Sequence, residues 1–426
     1  MNVLYLHQHF ATREGAGGTR SYEFAKHLLR RGHSVTMVVS HRQASGVEQR
    51  RLQQIEGIDV IALGGFYSNF LSPTRRILNF LRFTASCSLL RKVPNRPDVV
   101  IATSTPLTIG IPGVLLARRF GVPFVFEVRD LWPQAPIELG ALRNPLLQRA
   151  ARWLERWLYR RADRIIALSP GMAQGVLAAG GDAGAVVTIP NASDVELFSP
   201  ARRDRSLLER FGVADRFVVV HGGSMGKANG LEYVVQAARE LAARGESDVQ
   251  FLLSGYGGTR PELERLCAEW GLTNVTFSGS IPRKELGPIV SSCDLAVTSF
   301  ANFPVLATNS PNKLFDGLAA GLPVIVNSAG WTRDLVLDND CGTYVEVTEP
   351  GQLADAVLRL RNDDELRARQ GRNARTLAET TFARNLLAAR FCEVLESAAG
   401  VSAPTAANVD MANAAGQGEP VTRVPE

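Results

Sequence analysis

Asn312, Lys313 and Asp316 lie within one turn of a predicted helix, and their side chains suit recognition of a nucleotide diphosphate. Pro311 at the first helical position and Gly321 near the end are typical of a helix with these bounds. A lysine at a helix N-terminus adds its charge to the free backbone N–H groups, which favours an anionic phosphate. Asp316 is expected to accept hydrogen bonds from a ribose diol. The alternative is a surface ion pair between Lys313 and Asp316, worth only about 0.2–0.5 kcal/mol.

Two glycine-rich regions suit phosphate binding. Gly17 and Gly18 follow the first predicted strand, and glycine lets the backbone approach an anion closely. A flexible turn without a ligand is the alternative there. In the second half, Lys227 lies within the glycine-rich stretch 221–230 and supplies a point charge. Gly255, in the loop that ends the next strand, is expected to line the same cleft. Neither region is a P-loop, because no G-x-x-x-x-G-K-[ST] occurs.

Three charged residues stand at the end of a predicted buried strand. They are Glu127, Arg129 and Asp130. A charge there is costly unless it is paired or used. One interpretation is an ion pair of Arg129 with Asp130 or with Glu127 that braces the loop. The favoured one is that the three side chains face an acceptor or a sugar being transferred.

The charge of the chain is unevenly divided. Residues 1–200 hold 24 Lys+Arg and 14 Asp+Glu, net +10, whereas residues 201–426 hold 23 and 28, net −5, which gives the total of +5. A basic first half indicates an anionic partner: nucleic acid, membrane lipid or a phosphate-bearing substrate. Nucleic acid is the weakest of these, because zinc-finger spacing and aromatic RNP motifs are missing from the sequence. The length suffices for two domains with separate cores.

The cysteine pattern and the N-terminus indicate a cytoplasmic protein. The five cysteines are scattered and form no C-x-x-C pair, which argues for a reducing compartment and against a metal site. His7 and His9 alternate at a strand end, so one is expected to face the cleft, but no third ligand has matching spacing. Met1 leads into an apolar strand without the pattern of a signal peptide. The uncharged run Val99–Ala117 contains prolines and threonines and is interpreted as a strand–helix unit.

Short apolar runs alternate with amphipathic helical stretches along most of the chain. This alternation predicts an α/β fold with parallel, doubly wound sheets. We expect a first domain over residues 1–200, a second over 201–380, a helix over 381–397 that packs back on the first domain, and a disordered tail over 398–426. Two such domains place a ligand in the cleft between them, near the carboxyl ends of the strands.

In this order, several motifs resemble those of the retaining GT-B glycosyltransferases of family 4. The resemblance covers roughly residues 2–395. Its motifs, each weak alone, are Gly17-Gly18, R-G-H-S-V-T from Arg31, A-D-R-I-I-A-L-S from Ala162, I-P-N-A-x-D from Ile189, and A-A-G-L-P-V-I from Ala319.

The resemblance implies a GT-B fold, two Rossmann-like domains facing each other across a cleft. It implies transfer of a sugar from an intact nucleotide-sugar with retention, without a cofactor or a divalent metal. The variants E-V-R-D-L-W-P and S-P-N-K-L-F-D most resemble bacterial enzymes that build O-antigen, capsule or related glycans, often with UDP-activated aminosugars. The chain departs from the family at a Glu-x7-Glu pair, whose positions here fall on Thr308 and Asp316.

The resemblance also implies site residues. The family's phosphate-binding Arg and Lys fall near Ser224 and Asn229, so Lys227 and Lys313 are expected to supply the missing charge and stabilise the departing diphosphate. Because that phosphate can take the acceptor proton itself, Arg129 or Asp130 need only orient the acceptor hydroxyl. The nucleobase is expected against the loop 279–282. The donor-binding set is Gly17, Gly18, Arg20, Ser224, Lys227, Gly255, Ile281, Thr308, Asn312, Lys313 and Asp316; the catalytic set is Arg129, Asp130, Lys227 and Lys313.

The acceptor is expected to be a glycan or a polyprenyl-diphosphate-linked saccharide. Aromatic and aliphatic residues over 66–83 interleave with arginines, which suits an interfacial helix on the inner leaflet of the membrane. The alternative is a core helix with one arginine-bearing face. Two rival functions remain open: a nucleotide-sugar 2-epimerase of the same shape, and a non-catalytic sugar-binding protein.

Overall fold

A computed structural model describes residues 1–15, 18–40, 52–63 and 73–401. Over these ranges the chain forms two α/β domains, each built on a largely or wholly parallel sheet. The predicted fold class is therefore confirmed. Gly17 and the aromatic residues predicted at 66–70 lie outside the described residues, as does the predicted tail from 402 onwards.

The first domain contains an eight-stranded sheet in the described part of the chain, in the order β3-β4-β2-β1-β5-β6-β7-β8. Only its edge strand β3 runs antiparallel to its neighbour. The strands are β1 Asn2–Leu6, β2 Ser34–Ser40, β3 Leu52–Ile55, β4 Ile58–Leu63, β5 Val99–Thr103, β6 Phe124–Val128, β7 Arg164–Ala167 and β8 Val186–Thr188. The helices are α1 Arg20–Arg30, α2 Pro73–Ser88, α3 Gly110–Phe120, α4 Gln134–Glu138, α5 Pro145–Tyr159 and α6 Pro170–Ala178.

The second domain contains a six-stranded parallel sheet in the order β11-β10-β9-β12-β13-β14. Its strands are β9 Phe217–Gly222, β10 Val249–Ser254, β11 Val275–Gly279, β12 Leu295–Thr298, β13 Val324–Val326 and β14 Gly342–Tyr344. Its helices, with the one that closes the chain, are α7 Glu232–Ala243, α8 Arg260–Glu269, α9 Arg283–Ser291, α10 Asn312–Ala319, α11 Trp331–Asp338, α12 Pro350–Asn362, α13 Asp364–Thr380 and α14 Arg384–Ala399.

Helices cover both faces of the first sheet. On one face, Phe83 of α2, Leu116 of α3 and Leu158 of α5 share a core with Leu4 and Phe126 of the sheet. Successive residues of a strand point to opposite faces. The neighbouring strand residues therefore face the other side of the sheet, where they pack against α1 and α14.

The last helix, α14, packs on the first domain. The rings of Phe24 in α1 and Phe391 in α14 lie 4.9 Å apart, centroid to centroid. Glu396 accepts hydrogen bonds from Arg31, at 2.8 and 3.0 Å. The helix continues through Ala399, two residues into the segment predicted to be disordered.

Two passages of the chain connect the domains, and they are hydrogen-bonded to each other. The backbone N–H of Ser193, just after the first domain, donates to the carbonyl of Phe382, at 2.8 Å. The N–H of Arg384 donates back to the carbonyl of Ser193, at 3.0 Å. Ser193 and Ala383 thereby form a parallel β-bridge between the outgoing and the returning passage.

Two strands are not predicted from the sequence. The edge strand β3 has the sequence L-Q-Q-I with two polar residues at its centre, so it shows no apolar run. The strand β14 has only three residues, G-T-Y, and takes its place by pairing with β13. Both are recognisable only once the neighbouring strand is in place.

Candidate active site

A cavity of about 260 Å³ lies between the two domains, at the carboxyl ends of their strands. Its lining joins residues from loops that are far apart in sequence. The first domain and its exit contribute Arg129, Asp130, Leu168 and Asn191; the second contributes Gly222, Gly223, Ser224, Asn229, Phe300 and residues 309–313. Of the predicted site residues, the cavity therefore brings together Arg129, Asp130, Ser224, Asn312 and Lys313.

The N-terminus of α10 faces this cavity. Pro311 is the N-cap residue, with extended backbone, and contributes no side-chain cap. Asn312 and Lys313 begin the helix and line the cavity. Since the first N–H groups of a helix have no partner within it, their partial positive charge is directed into the cavity.

Lys313 adds a full charge to this helix end. Its Nζ donates to Oδ1 of Asn229 and lies 5.0 Å from the ring centroid of Phe300. Asn229 in turn donates from Nδ2 to the hydroxyl of Ser224, at 3.2 Å. Asn229 and Ser224 mark the positions where the resemblance places the family's missing basic residues. The amine of Lys313 therefore lies next to Asn229, which is one of these two positions.

The charge of Lys313 is easily lost, because burial lowers the pKa of its amine to about 7. Behind the glycine loop, burial first and the charge of Lys313 second lower the pKa of His221 well below its usual range. His221 is therefore neutral near pH 7 and adds no charge to the cavity. An anion bound beside Lys313 would raise the pKa of the amine again.

Arg129 brings a second cation to the cavity from the first domain. Its backbone N–H donates to the hydroxyl of Ser104, at 3.0 Å, and Nη1 donates to Nε2 of His7, at 3.3 Å. Nδ1 of His7 lies 2.6 Å from the hydroxyl of Ser21. His7 thus contacts a residue of the cavity, although it is itself buried and lies outside the described lining.

Gly18 and Asn312 bring the two domains into close approach. A Cβ atom placed on Gly18 would lie 3.0 Å from Nδ2 of Asn312 and 3.6 Å from Nη2 of Arg129. An alanine at this position would therefore require the side-chain amide of Asn312, at the start of α10, to shift by a few tenths of an ångström.

Asp130 is the acidic group of the cavity. Its Oδ2 accepts a hydrogen bond from the hydroxyl of Thr105, at 3.0 Å. Burial raises the pKa of Asp130, whereas Thr105 and the charge of Arg129 oppose the rise.

Arg20, which is predicted to bind the donor, lies outside the described lining of the cavity and is paired within the protein. The guanidinium is buried and donates to Oε1 of Glu127, at 2.9 Å, and to the carbonyls of Ile189 and Pro190. Glu127, fully buried, also accepts from the hydroxyl of Thr103, at 2.9 Å. For Glu127 the bracing interpretation is the right one, although its partner is Arg20 and not Arg129.

Asp316 also has a different partner from the predicted ribose. Its two carboxylate oxygens accept from both terminal nitrogens of Arg283, at 2.6 and 3.1 Å. Both side chains are buried, with 7 % and 9 % of their surface exposed. The alternative pairing of Asp316 with Lys313 does not form, because Lys313 turns towards Asn229. In the structure this carboxylate is therefore paired within the protein, and its assignment to a ribose stays a prediction.

Four other predicted donor residues lie outside the lining formed by the described residues. Lys227 is exposed and its Nζ lies 5.7 Å from the ring centroid of Phe303. Gly255 packs closely against the glycine-rich loop 221–230, since a Cβ atom on Gly255 would lie 1.8 Å from the carbonyl oxygen of Gly223. Thr308 donates to the carbonyl of Val305, at 2.7 Å, and Ile281 is buried in the core.

Three lining residues escaped prediction: Leu168, Asn191 and Phe300. Phe300 follows β12 and Leu168 follows β7, so the rule that ligands gather at the carboxyl ends of strands could have indicated both. Their apolar side chains carried no chemical signal of their own. Asn191 was part of a family motif and was not assigned a role.

Comparison with known proteins identifies the class of enzyme. Residues 15–192 match the family model described as a glycosyl transferase 4-like domain, and residues 216–363 match the model of glycosyl transferases group 1. The two matches fall on the two domains that form the cavity. The chain is a GT-B glycosyltransferase.

Relatives of this glycosyltransferase support the assignment. It is 28% identical over 276 residues to alpha-D-kanosaminyltransferase of Streptomyces kanamyceticus, covering 63% of this chain and 69% of that protein. It is 28% identical over 353 residues to GDP-mannose-dependent alpha-mannosyltransferase of Mycobacterium tuberculosis, covering 79% and 81%. Neither rival function, epimerase or sugar-binding protein, is favoured by these matches.

The fold agrees with that of HepE of Anabaena, solved in complex with UDP and glucose. The TM-score is 0.70 at 20% identity, over 93% of this chain and 100% of that chain. At this identity the likeness concerns the fold alone. Within the described residues, groups of three or more His, Cys, Asp or Glu that could hold a metal ion do not occur, and none of the helices is long and apolar enough to cross a membrane.

Proposed function

We propose that this glycosyltransferase, as a member of family 4, transfers a hexosyl group from a UDP-sugar, with retention, to a glycan or a lipid-linked saccharide. The sugar is an N-acetylated aminosugar or a deoxy-aminosugar, and the product enters a bacterial surface polysaccharide such as O-antigen or capsule. The observation that carries the proposal is the pairing of Lys313 and the α10 N-terminus across one cavity from Arg129 and Asp130.

The α10 side of the cavity suits the diphosphate of the donor. When the glycosidic bond breaks, charge develops on the leaving phosphate, and preorganised cations and N–H groups stabilise it most. Lys313 and the first N–H groups of α10 provide both, and the Gly222–Ser224 backbone lets the phosphates approach closely. We assign the ribose and the base of the donor to the second domain, and we name no individual side chain that binds them.

The opposite side suits the acceptor. Arg129 and Asp130 lie in the same cavity, and Thr105 fixes one oxygen of Asp130. In a retaining front-face reaction, the oxygen of the departing phosphate takes the acceptor proton while the acceptor oxygen attacks the anomeric carbon from the same side. Asp130 and Arg129 then only hold and orient the hydroxyl, so a separate general base is not required.

Two kinds of observation support the proposed nucleotide and sugar: what similar proteins are named for or were solved with, and the sequence motifs of this chain. HepE was solved with UDP and glucose, whereas the mycobacterial relative is named for GDP-mannose. The Streptomyces relative is named for a kanosaminyl group, which is an aminosugar. The motifs E-V-R-D-L-W-P and S-P-N-K-L-F-D favour UDP-activated aminosugars, and we propose that class.

A donor panel tests the proposal. We expect the purified chain to release nucleotide from UDP-N-acetylated or deoxy-aminosugars faster than from GDP- or dTDP-sugars, with a further increase when polyprenyl-diphosphate glycans are added. Activity is expected to persist in EDTA, because cations of the protein serve the phosphates. Anomeric configuration in the product, read by NMR coupling constants, should equal that of the donor. Preference for GDP-sugars, abolition by EDTA or an inverted product would each overturn the corresponding part.

The pKa of Lys313 predicts how UDP binding depends on pH. In the free protein the amine is half-charged near pH 7, since its pKa is about 7. A bound diphosphate favours the ammonium form, so binding above this pH takes up a proton. The affinity for UDP is expected to fall by up to about tenfold for each pH unit above pH 7, until the higher pKa of the complex is reached.

Calorimetry checks this linkage. At about pH 8, titration with UDP in buffers of different ionisation enthalpy should show uptake of nearly one proton. The variant Lys313→Arg, which stays charged, should show little uptake and a flatter pH profile. Equal proton uptake by the two proteins would contradict the assignment of Lys313 to the diphosphate.

We propose a cytoplasmic location, peripheral at the inner face of the inner membrane. It is supported by the reduced, scattered cysteines, all five of which are buried and unpaired, and by the basic first half of the chain. Cell fractionation checks this location. The protein is expected in the cytoplasmic fraction and in the wash of the membrane fraction, and not in the periplasm.

A further inference from the structure

The segment that leads into α10 is a short 3₁₀ turn held by side chains of the first domain. It spans Pro304–Thr308 and ends five positions before Lys313. Its N-cap residue, Phe303, contributes no side-chain hydrogen bond, and the first N–H groups of a helix have no partner within it. Because proline has no N–H group, the amide of Val305 is the first donor of the turn that needs an acceptor from elsewhere.

The first domain supplies that acceptor. Oε2 of Glu138, the last residue of α4, accepts a hydrogen bond from the backbone N–H of Val305, at 2.8 Å. Oε1 of the same carboxylate accepts from Nε2 of Gln134, one turn earlier in α4, at 2.6 Å. With both oxygens engaged, the carboxylate is held in one orientation. A carboxylate is also the acceptor that best complements the positive end of a helical turn.

The other end of the turn is held from the same side. The hydroxyl of Ser169, the N-cap residue of α6, donates to the carbonyl of Thr308. This hydroxyl also accepts from the N–H of Met172, at 2.9 Å, so its own proton is directed to Thr308. Two positions further on, the hydroxyl of Ser310 accepts from the N–H of Asn191, at 3.1 Å. The chain between the turn and α10 is therefore bound at several points to the first domain and its exit.

Apolar contacts between α4 and the turn accompany the hydrogen bond of Glu138. One cluster joins apolar residues of the second domain to apolar residues in and beside α4: Phe300, Val305 and Leu306 on one side, Leu131, Ala135 and Leu139 on the other. Such a cluster keeps water away from the contact, and a hydrogen bond to a charged group is stronger where the local dielectric constant is low.

Glu138 thereby joins the two sides of the cavity. The helix α4 begins four positions after Asp130, so Glu138 belongs to the same short stretch after β6 as Arg129 and Asp130. The turn that it holds belongs to the stretch that ends in Lys313. Glu138 itself lies outside the cavity lining formed by the described residues. Its hydrogen bond therefore connects the loop on the acceptor side to the segment on the donor side without contact to either substrate.

We propose that Glu138 is a positioning residue of the transfer reaction. It fixes the Pro304–Thr308 turn, and through this turn the start of α10, opposite Arg129 and Asp130. The inference rests on the proposed function for the roles of the two sides of the cavity. Since a misplacement of reacting groups by about 1 Å can cost about 10² in rate, a residue outside the cavity can control turnover in this way.

Steady-state kinetics with the full chain test the proposal. The variant Glu138→Ala is expected to lower kcat by about 10–10². Its affinity for UDP, measured by calorimetry, should be nearly that of the parent, because the proposed nucleotide contacts lie in the second domain. The variant Glu138→Gln keeps an oxygen for the amide of Val305 and should recover most of kcat. A variant that had lost only stability would instead show a lower thermal midpoint with normal kcat in its folded fraction.

Hydrogen exchange tests the contact without any substrate. In the free protein, peptides that cover residues 304–313 should exchange faster in Glu138→Ala than in the parent, because the acceptor that protects the amide of Val305 is gone. The variant Glu138→Gln should exchange like the parent. This measurement separates the role of Glu138 in the structure from the identity of the donor and the acceptor.

A matched control lies at the start of α12. Glu349 is exposed and its Oε2 accepts from Nε2 of Gln352, at 3.1 Å, so it forms the same kind of glutamate–glutamine pair away from α4 and the 304–308 turn. The variant Glu349→Ala should have the kcat of the parent and the same exchange over residues 304–313.

Three results would overturn the proposal: normal kcat in Glu138→Ala, normal exchange over residues 304–313 in this variant, or equal impairment of Glu138→Ala and Glu138→Gln. A parent protein that binds no UDP, together with the expected change in exchange, would count against the proposed function and leave the positioning of α10 by Glu138 standing.

Discussion

Replacing Lys313 by Met is expected to lower kcat/KM by about 10²–10³, the cost of removing one preorganised group at a developing charge. The aliphatic chain of Met keeps contact with the Phe300 ring, so packing around the α10 N-terminus survives. Because the amine that is removed is partly neutral in the free protein, the free energy of unfolding is expected to change little. Thermal unfolding should therefore be nearly unchanged, while steady-state release of UDP falls.

The matched control for this variant is Lys227→Met. Lys227 is exposed, outside the cavity lining and 5.7 Å from the ring centroid of Phe303. Its loss should change kcat/KM by no more than a few-fold. If the Lys227 variant is impaired as strongly as the Lys313 variant, the glycine-rich loop binds the phosphates after all. If Lys313→Met has normal turnover, the phosphate assignment fails.

Replacing Arg20 by Met is expected to lower stability by about 3–5 kcal/mol, the usual effect of breaking a buried ion pair. Glu127 would be left buried and charged, without the guanidinium that Oε1 now accepts from. The carbonyls of Ile189 and Pro190, next to the passage between the domains, would lose their donors as well. A marked fall in the thermal midpoint should report the change.

The double variant Arg20→Met/Glu127→Gln separates the charge from the packing. Removing the unpaired carboxylate should recover part of the lost stability. The exposed Arg149→Gln is the control for loss of an arginine and should stay within about 0.5 kcal/mol of the parent. A parent-like midpoint for Arg20→Met would return Arg20 to the list of candidate donor residues.

The fold was predictable because its signals are local. The sequence alone predicts a strand over residues 34–40 from its apolar run and a helix over residues 283–291 from its amphipathic pattern, and the structure has both with these bounds. Strands that exist only through pairing, β3 and β14, carry no such signal. Sequence patterns therefore located the helices and strands that show a hydrophobic period of their own. They missed the two strands that form only by pairing with a neighbouring strand.

The site was predictable in position but only partly in partners. A motif at a strand end identified Arg129 and Asp130, and one at a helix N-terminus identified Lys313, because charged groups at such places often serve a function. The partner of a charge depends on the three-dimensional neighbour, which spacing does not reveal. Asp316 was assigned to a ribose and pairs with Arg283, 33 positions away in the chain. Arg20 was assigned to the donor and supports Glu127, from across the sheet.

The bridge between Ser193 and Ala383 has a practical consequence for the architecture of the enzyme. The amino-terminal lobe is discontinuous: α14, which covers Phe24, is contributed by the far end of the chain. A fragment that stops near residue 200 would leave an apolar face uncovered, whereas a fusion of that fragment to residues 381–401 would restore it. The paired passages also form one ribbon between the lobes, so any widening of the crevice is expected to be a rotation about a single axis.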